Sequence, residues 1–430
     1  MEAGKGDRPE IALDIESPDY AANWESLTRD LRSRCPMAWS TEHGGHWVVT
    51  RYEDVVAVAQ NADLFTTGKT FDRETGTVTG GGAIPPMPID RLIPSETDRP
   101  EWDMFRNLLN PRLGPKAAES FRADAENYAH LLLDQVIESG RMDLVQDFTS
   151  PLTALVTMTA LGLPLHQWRA FADPLHDLTA LSKTSPEYPA AVEAAAWVDR
   201  RIDEEIARRK TEPTDDIIGM LVAARPDGAP LPDRDIHMAI VNVLFGGVDT
   251  TTALTSHTLM HLWRHPDQRA RLIADRSLLP TAREEFIRFF TPAHGNGRNA
   301  QANACVAGQQ VEQGERLYLF FASANRDAEV FDNPDEIDIA RFPNRHIGFG
   351  AGIHRCLGSF LARMMFDAMM NAVLDRIPDY EVIEDGAKLY PSISPINGWV
   401  NIPLTFTPGP RSGLAEPDWL HAADMAGGHR

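Results

Sequence analysis

"HIGFGAGIHRCLGSFLARM", residues 346–364, sets one of the chain's few cysteines between a glycine-rich turn and a helix-like run. Gly350 and Gly352 allow the backbone to turn tightly ahead of Cys356, and such a turn can present several N–H groups to one sulfur. The apolar period of Leu357, Leu361, Met364, Met365 and Ala368 puts that sulfur at a helix N-terminus, where the macrodipole favours a thiolate over a thiol.

A thiolate can serve as a nucleophile, a redox thiol or a metal ligand. The three cysteines, Cys35, Cys305 and Cys356, are widely spaced and contain no Cys-x-x-Cys pair. They give no disulfide framework and match a reducing cytoplasm. His354 lies on the same turn as the sulfur, not on a separate element poised to take its proton. Zinc would call for further ligands at set spacings, and none cluster nearby. A nucleotide-binding G-x-G-x-x-G fails because Arg355 occupies the third glycine position. An axial ligand to haem iron and an inert packed cysteine both remain.

The 430 residues carry a net charge of −21 with pI near 5.1, which argues against nucleic acid, whose phosphates reward basic stripes. The N-terminal MEAGKGDRPEIALDIESPDY has no apolar core of signal-peptide length, and no run of about 18 apolar residues occurs. A soluble, unanchored, cytoplasmic protein is expected. Without Gly/Ser linkers, low-complexity segments or repeats, one large domain over 1–408 is expected, followed by a flexible tail over 409–430. Helical patterning covers 117–138, 190–209, 233–265, 281–290 and 357–377; strands are expected at 46–50, 316–321 and in YEVI and VNIPLTF after Pro378. The fold class is mainly α with minor β.

Between Pro232 and Pro266 lies AIVNVLFGGVDTTTALTSHTL. If most of 233–265 is one helix, it spans roughly 50 Å at about 1.5 Å per residue. Its face Ile240, Val243, Gly247, Thr250, Leu254 is an apolar stripe broken by a glycine and a hydroxyl. Gly246 and Gly247 each cost such a helix about 1 kcal/mol relative to alanine. Either a flat cofactor and a small molecule lie against them, with Asp249 and Thr250 delivering protons, or they form a plain kink with threonine hydroxyls bonded back to carbonyls. Further on, PTAREEFIRFFTP offers Thr281 and Glu284 as a capping box and Glu285 with Arg288 as i,i+3 neighbours. Phe286, Ile287, Phe289 and Phe290 around them point to a buried ionic lock, which needs further partners to offset its desolvation.

In kind and in order, these motifs resemble those of the cytochrome P450 family, the soluble bacterial haem-thiolate monooxygenases. Phe349-Gly350-x-Gly352-x-His354-x-Cys356-Leu357-Gly358 is similar to the haem-binding signature, Gly246-Gly247-Val248-Asp249-Thr250-Thr251 to the oxygen-activation segment, and Glu285-x-x-Arg288 to the ExxR pair. The resemblance covers nearly the whole chain. It implies a triangular helical domain with a long central helix over the haem and small β-sheets. It also implies haem b with Cys356 as the axial thiolate on iron, Phe349, Gly350 and Gly358 in the loop, and Arg106, Arg298 and His354 on the propionates, which guanidinium forks suit. Trp102 stands where many relatives have a histidine, so that propionate contact is an indole N–H or is absent. Arg341 would complete a network with Glu285 and Arg288 that holds the cysteine loop.

The implied reaction inserts one oxygen atom of O2 into a small, mostly apolar substrate by hydroxylation, epoxidation or dealkylation, Asp249 relaying protons and Thr250 steadying the dioxygen. Three cysteines cannot supply a four-cysteine iron–sulfur cluster and no flavin motif is left. NAD(P)H-derived electrons are therefore expected from a separate ferredoxin and ferredoxin reductase, docking on Arg112, Lys116, Arg355 and Arg363. A monomer is expected, without nucleic-acid or membrane partners. The resemblance places Val243, Gly246, Gly247, Ala293, His294 and Ile396 around the substrate, His294 lending polarity, with TVTGGGAIPPMPIDRLIP as a loop closing over it. The competing functions are an H2O2-dependent peroxygenase and a haem protein that only binds a ligand; the Asp249/Thr250 pair favours O2 with a reductase. His257, His261 and His265 recur every four residues but lack the H-E-x-x-H glutamate of a zinc site.

Overall fold

The computed structural model describes residues 8–181 and 185–422, which divide into two compact units. The first holds the described residues of 1–103 together with 284–356 and 391–397. Its six-stranded sheet runs, in spatial order, Glu10–Ile11, Met37–Ser40, His46–Val49, Arg316–Leu319, Asn296–Ala300, Phe65–Thr66. His46–Val49 and Arg316–Leu319 are parallel, with Leu317 opposite Trp47; Arg316–Leu319 and Asn296–Ala300 are antiparallel, with Leu317 opposite Arg298. Strand alternation sorts the side chains. Leu317, Leu319, Trp47 and Val49 enter one apolar cluster, while Tyr318 and Val48 enter another with Phe320. The strand expected over 316–321 ends at Leu319, and the chain turns into the short helix Phe321–Ala324.

In the same unit, Lys69–Phe71 pairs with Val78–Gly80, so the Gly/Pro-rich stretch begins as a hairpin strand. Glu96 gathers the segment beyond that hairpin: its carboxylate accepts from Leu92 N–H at 2.9 Å, Gly82 N–H at 3.1 Å and the buried Lys69 ammonium at 3.1 Å.

The second unit, the described residues of 104–283, 357–390 and 398–430, is mainly helical. Ser150–Leu161 reads SPLTALVTMTAL, carries no ionisable group and is buried nearly throughout; Gly162, left-handed at φ 83°, ends it. The helix expected over 117–138 breaks at Phe121 into Pro115–Ser120 and Arg122–Asp134. The long helix expected over 233–265 is likewise two, Asp233–Gly247 and Asp249–Arg264, broken at Val248. Asp233–Arg264 is apolar enough to cross a membrane, but its most apolar window is 61% buried in the protein, the placement of a core element.

The two glycines at that break act differently. A Cβ at Gly247 would lie 2.6 Å from Thr157 Oγ1 and 2.8 Å from Thr157 Cγ2, so this glycine serves close approach to Ser150–Leu161. A Cβ at Gly246 meets nothing within 4 Å. Gly247→Ala is expected to lose about 1 kcal/mol, the overpacking cost less the gain in helix propensity. Gly246→Ala is expected to gain up to about 1 kcal/mol. Urea unfolding midpoints of the two variants read the difference in sign.

The stretch from Gly409 is tied down, not loose. Ser412 N–H donates to Asp134 Oδ1 at 2.8 Å and its hydroxyl to Asp134 Oδ2, Arg376 Nη2 donates to the same carboxylate at 2.6 Å, and a short helix follows at Asp418–Ala422. Of the tail expected over 409–430, residues 423–430 lie outside the described residues.

Candidate active site

The loop that carries Cys356 is held from behind. Gly350 (φ 72°) and Gly352 (φ 70°) are left-handed, and a Cβ at Gly352 would fall 2.0 Å from Ala59 O, so only glycine fits there. The N–H groups of Gly350, Arg355 and Cys356 donate to Ile347 O, Gly352 O and Phe349 O at 2.8, 3.2 and 2.8 Å. Those donors build the loop. The helix Ser359–Arg376 follows the loop, with Gly358 as its N-cap residue. Cys356 itself is exposed.

Glu285 and Arg288, on the helix Leu279–Phe290, have fully buried side chains 2.7 Å apart. Arg341 Nε lies 3.0 Å from both Glu285 carboxylate oxygens, which also accept from Asp338 N–H at 2.9 Å and Asn344 Nδ2 at 3.0 Å. Arg288 donates further to Asn325 O, Pro334 O and Glu336 O at 2.9, 2.8 and 2.8 Å. Burial alone would raise the Glu285 carboxyl; Arg288, the Asp338 N–H and Arg341 outweigh it and hold the group below the usual carboxylate range. Asn325, which motif reading passes over, links this network to the cysteine loop. Its Oδ1 accepts from Ile347 N–H at 2.7 Å and its Nδ2 donates to Thr291 Oγ1 at 2.8 Å. Glu284, expected in a capping box, instead lies 3.0 Å from His346 Nε2, and Thr281 falls inside a helix that begins at Leu279.

Arg298 is buried at 3% exposure, and its guanidinium donates to Gly297 O at 2.7 Å and Asn296 Oδ1 at 3.5 Å, both uncharged. Burial pushes its pKa down to about 10 against the pull of Asp98. A buried cation without a close carboxylate calls for an anion, and haem propionates are anions. His354 Nε2 lies 3.1 Å from Thr67 Oγ1, and the Trp102 ring meets the His354 ring edge-on, centroids 5.9 Å apart. Trp102 therefore packs on His354, and the Arg99 guanidinium carbon stands 5.7 Å from the Trp102 ring centroid. Arg106 is half-buried on the helix Glu101–Leu113, and Phe349 lies 6.1 Å from the His346 ring. Gly358, like Gly246, has nothing within 4 Å of a built Cβ. A turned cysteine loop and a buried guanidinium in need of an anion, both in the first unit, fit an anionic iron cofactor.

Asp249 opens its helix and is buried. Its Oδ1 lies 3.2 Å from His176 Nδ1, and the same nitrogen is 3.0 Å from the Tyr390 hydroxyl. Sequence reading misses both partners, since 73 residues separate His176 from Asp249 and 214 separate it from Tyr390. Thr250 is half-buried and its hydroxyl donates to Gly246 O at 2.8 Å; Thr252, Thr255 and Thr258 bond back four residues in the same way.

Val243 and Ala293 are half-buried and Ile396 is buried. His294 is not a polar wall. It sits in an aromatic cluster, 4.4 Å from the Trp24 ring centroid, with Tyr20 OH 3.2 Å from Nδ1 and Asn397 Nδ2 3.4 Å from Nε2. Those partners satisfy both ring nitrogens and make its burial tolerable. His257 accepts from Trp399 Nε1 at 3.0 Å, while the His261 and His265 rings stack at 3.9 Å; burial pushes His261 down to about 4.

The family model described as Cytochrome P450 matches residues 190–382. The chain is 31% identical to the steroid C26-monooxygenase of Mycobacterium tuberculosis over 407 residues, 93% of this chain and 98% of that one. It is similar in structure to a Mycobacterium marinum cytochrome P450 in complex with pseudoionone, with TM-score 0.81 and 27% identity over 93% of this chain and 100% of that one. P450BioI in complex with hexadec-9Z-enoic acid ligated acyl carrier protein is similar at TM-score 0.78 and 27% identity, over 90% and 99%. The mainly α fold with small sheets is that of these relatives, whose haem iron is held by a cysteine thiolate. The chain therefore belongs to the cytochrome P450 family and is a haem-dependent monooxygenase.

Proposed function

We propose that this monooxygenase inserts one oxygen atom of O2 into a small lipophilic molecule, fed with electrons by a separate ferredoxin and NAD(P)H-driven ferredoxin reductase, as a soluble cytoplasmic monomer with residues 1–408 as its haem domain. The observation that carries the reading is the exposed Cys356 on a loop pinned through Gly352 and Asn325. Haem, when bound, supplies the oxygen activation. Cys356 would hold its iron, and Arg298, Arg106 and His354 its propionates, with Trp102 steadying the His354 ring. Phe349, Gly350 and Gly358 shape the loop. Val243, Gly246, Ala293 and Ile396 are the candidate contacts for substrate. The steroid-oxidising relative and the pseudoionone complex support a lipophilic skeleton. For the electron donor, Arg112, which is paired with Asp215, Lys116, Arg355 and Arg363 are the candidate positive charges.

Asp249 takes and gives a proton at its carboxylate oxygens, and Thr250 Oγ1, whose proton rests on Gly246 O at 2.8 Å, is the hydroxyl beside it. Thr250→Ala is expected to divert reductant to H2O2, with product per reductant falling about tenfold or more, the scale of general-acid contributions; unchanged yield would refute that role. The function itself is tested by adding steroid and terpenoid compounds to the ferric holoprotein and reading the haem absorption shift that accompanies substrate entry. Compounds that shift it are then turned over with a surrogate ferredoxin system. Binding without oxygenated product would make the protein a ligand binder.

A further inference from the structure

The side chains of Asp249 and His176 are each 4% exposed, and Tyr390 is exposed to the same degree, so their cluster is buried within one unit. The His176 and Tyr390 rings meet edge-on with centroids 5.5 Å apart. Gly398 makes room for this, since a Cβ there would lie 2.7 Å from the Tyr390 ring, and Gly398 O accepts the Tyr390 N–H at 3.0 Å. The Asp249 carboxylate and the Tyr390 hydroxyl converge on a single atom, His176 Nδ1, at 3.2 and 3.0 Å. An imidazole nitrogen carries either a proton or a lone pair. With the proton, Nδ1–H donates to Asp249 and holds the carboxylate. Without it, the lone pair accepts the Tyr390 O–H, and Asp249 loses its tether.

Tyr390 remains a phenol throughout, because burial and then the charges of Asp249 and Asp177 push its hydroxyl well above the ordinary range. Arg169, Asp173 and Asp177 share the helix Trp168–Ala180 with His176, Ser150–Leu161 contributes none, the turn Leu165–Gln167 carries an exposed His166, and Tyr188–Thr211, whose Trp197 meets Phe171, carries Glu193, Asp199, Arg200 and Arg201 around that contact.

We propose that His176 and Tyr390 are positioning residues that hold and release the Asp249 carboxylate, the proton on His176 Nδ1 being the switch. The proposal rests on the reading of Asp249 as the proton-delivering carboxylate. Nitrogen-15 NMR of histidine-labelled, haem-loaded holoenzyme tests it directly, the His176 signal being assigned by its loss in His176→Gln and titrated across the imidazole range. Tyr390→Phe keeps the ring and removes the competing donor, so Nδ1 is expected to keep its proton to higher pH, by about a factor of ten in proton affinity; Asp249→Asn is expected to lower that affinity by a similar factor. Shifts in the same direction, or none, overturn the proposal. A second measurement separates it from the reading beneath it: the fraction of consumed O2 recovered as H2O2 when a surrogate ferredoxin system drives each holoenzyme without added substrate. If Asp249→Asn leaves that fraction unchanged, the proton-delivery reading fails and this proposal with it. If Asp249→Asn changes it while Tyr390→Phe and His176→Gln leave its pH profile as in the wild type, only the positioning role falls.

Discussion

The Cys356→Ser protein is expected to fold normally and to lose both the thiolate-type carbon monoxide spectrum and product formation, each to background. Folding survives because Cys356 is exposed and its bond to Phe349 O, 2.8 Å, is made by a main-chain N–H that serine keeps. A stability change within about 0.5 kcal/mol is the ordinary range for such a site. A serine hydroxyl stays protonated at neutral pH and cannot push electron density toward iron as a thiolate does. The spectrum of the ferrous carbon monoxide complex and turnover with a surrogate ferredoxin system measure the loss. A thiolate-type band that survives in Cys356→Ser would transfer the ligand role to Cys35 or Cys305. Cys35 is poorly suited to it, since burial raises its thiol pKa and its sulfur donates to Met37 O at 3.3 Å.

The largest loss of stability is expected at Glu285. Glu285→Gln leaves Arg288 charged at 0% exposure with its main counter-charge gone, a change that costs about 3–5 kcal/mol at a buried pair. Against a net stability of about 5–15 kcal/mol for an ordinary domain, much of the margin disappears. Urea unfolding midpoints and haem retained after gel filtration report it. Because the fold depresses the Glu285 carboxyl, its contribution is complete above the unfolded-state value and is lost as pH falls through the folded one. Wild-type stability should therefore drop in acid more steeply than that of Glu285→Gln, which has no carboxyl there to titrate. Replacing both Glu285 and Arg288 by apolar residues should not restore stability, because Asn325 O, Pro334 O and Glu336 O would lose their donor.

The motif-bearing segments were legible because their chemistry is local. A cysteine after two glycines and a Glu/Arg pair three apart can be recognised without knowing what surrounds them. Helix existence was legible as well, but continuity was not: the three-and-four spacing of Ile240, Val243, Gly247, Thr250 and Leu254 passes through the break at Val248 unaltered. Only the Gly246-Gly247 pair marks it, and the sequence does not say that one glycine meets Thr157 while the other meets nothing. Partners brought together by tertiary packing were invisible. His176 and Tyr390 carry no motif, and Asn325 acts through both ends of an amide that any surface asparagine also has. His294 misled because a histidine near a catalytic segment invites a polar role, whereas Tyr20, Trp24 and Asn397 give it a satisfied place in the core.

Asn325 joins three stretches of chain by hydrogen bonds that water cannot reach: its carbonyl to Arg288, its Oδ1 to the Ile347 amide and its Nδ2 to Thr291. Native-state hydrogen exchange would see these stretches as one foldon, opening together or not at all. The cysteine loop then has no low-energy fraying mode of its own. Cofactor retention over days of storage becomes a matter of kinetic stability, timed by the opening of one buried amide cluster and not by the mobility of the surface loop on which the ligand sits.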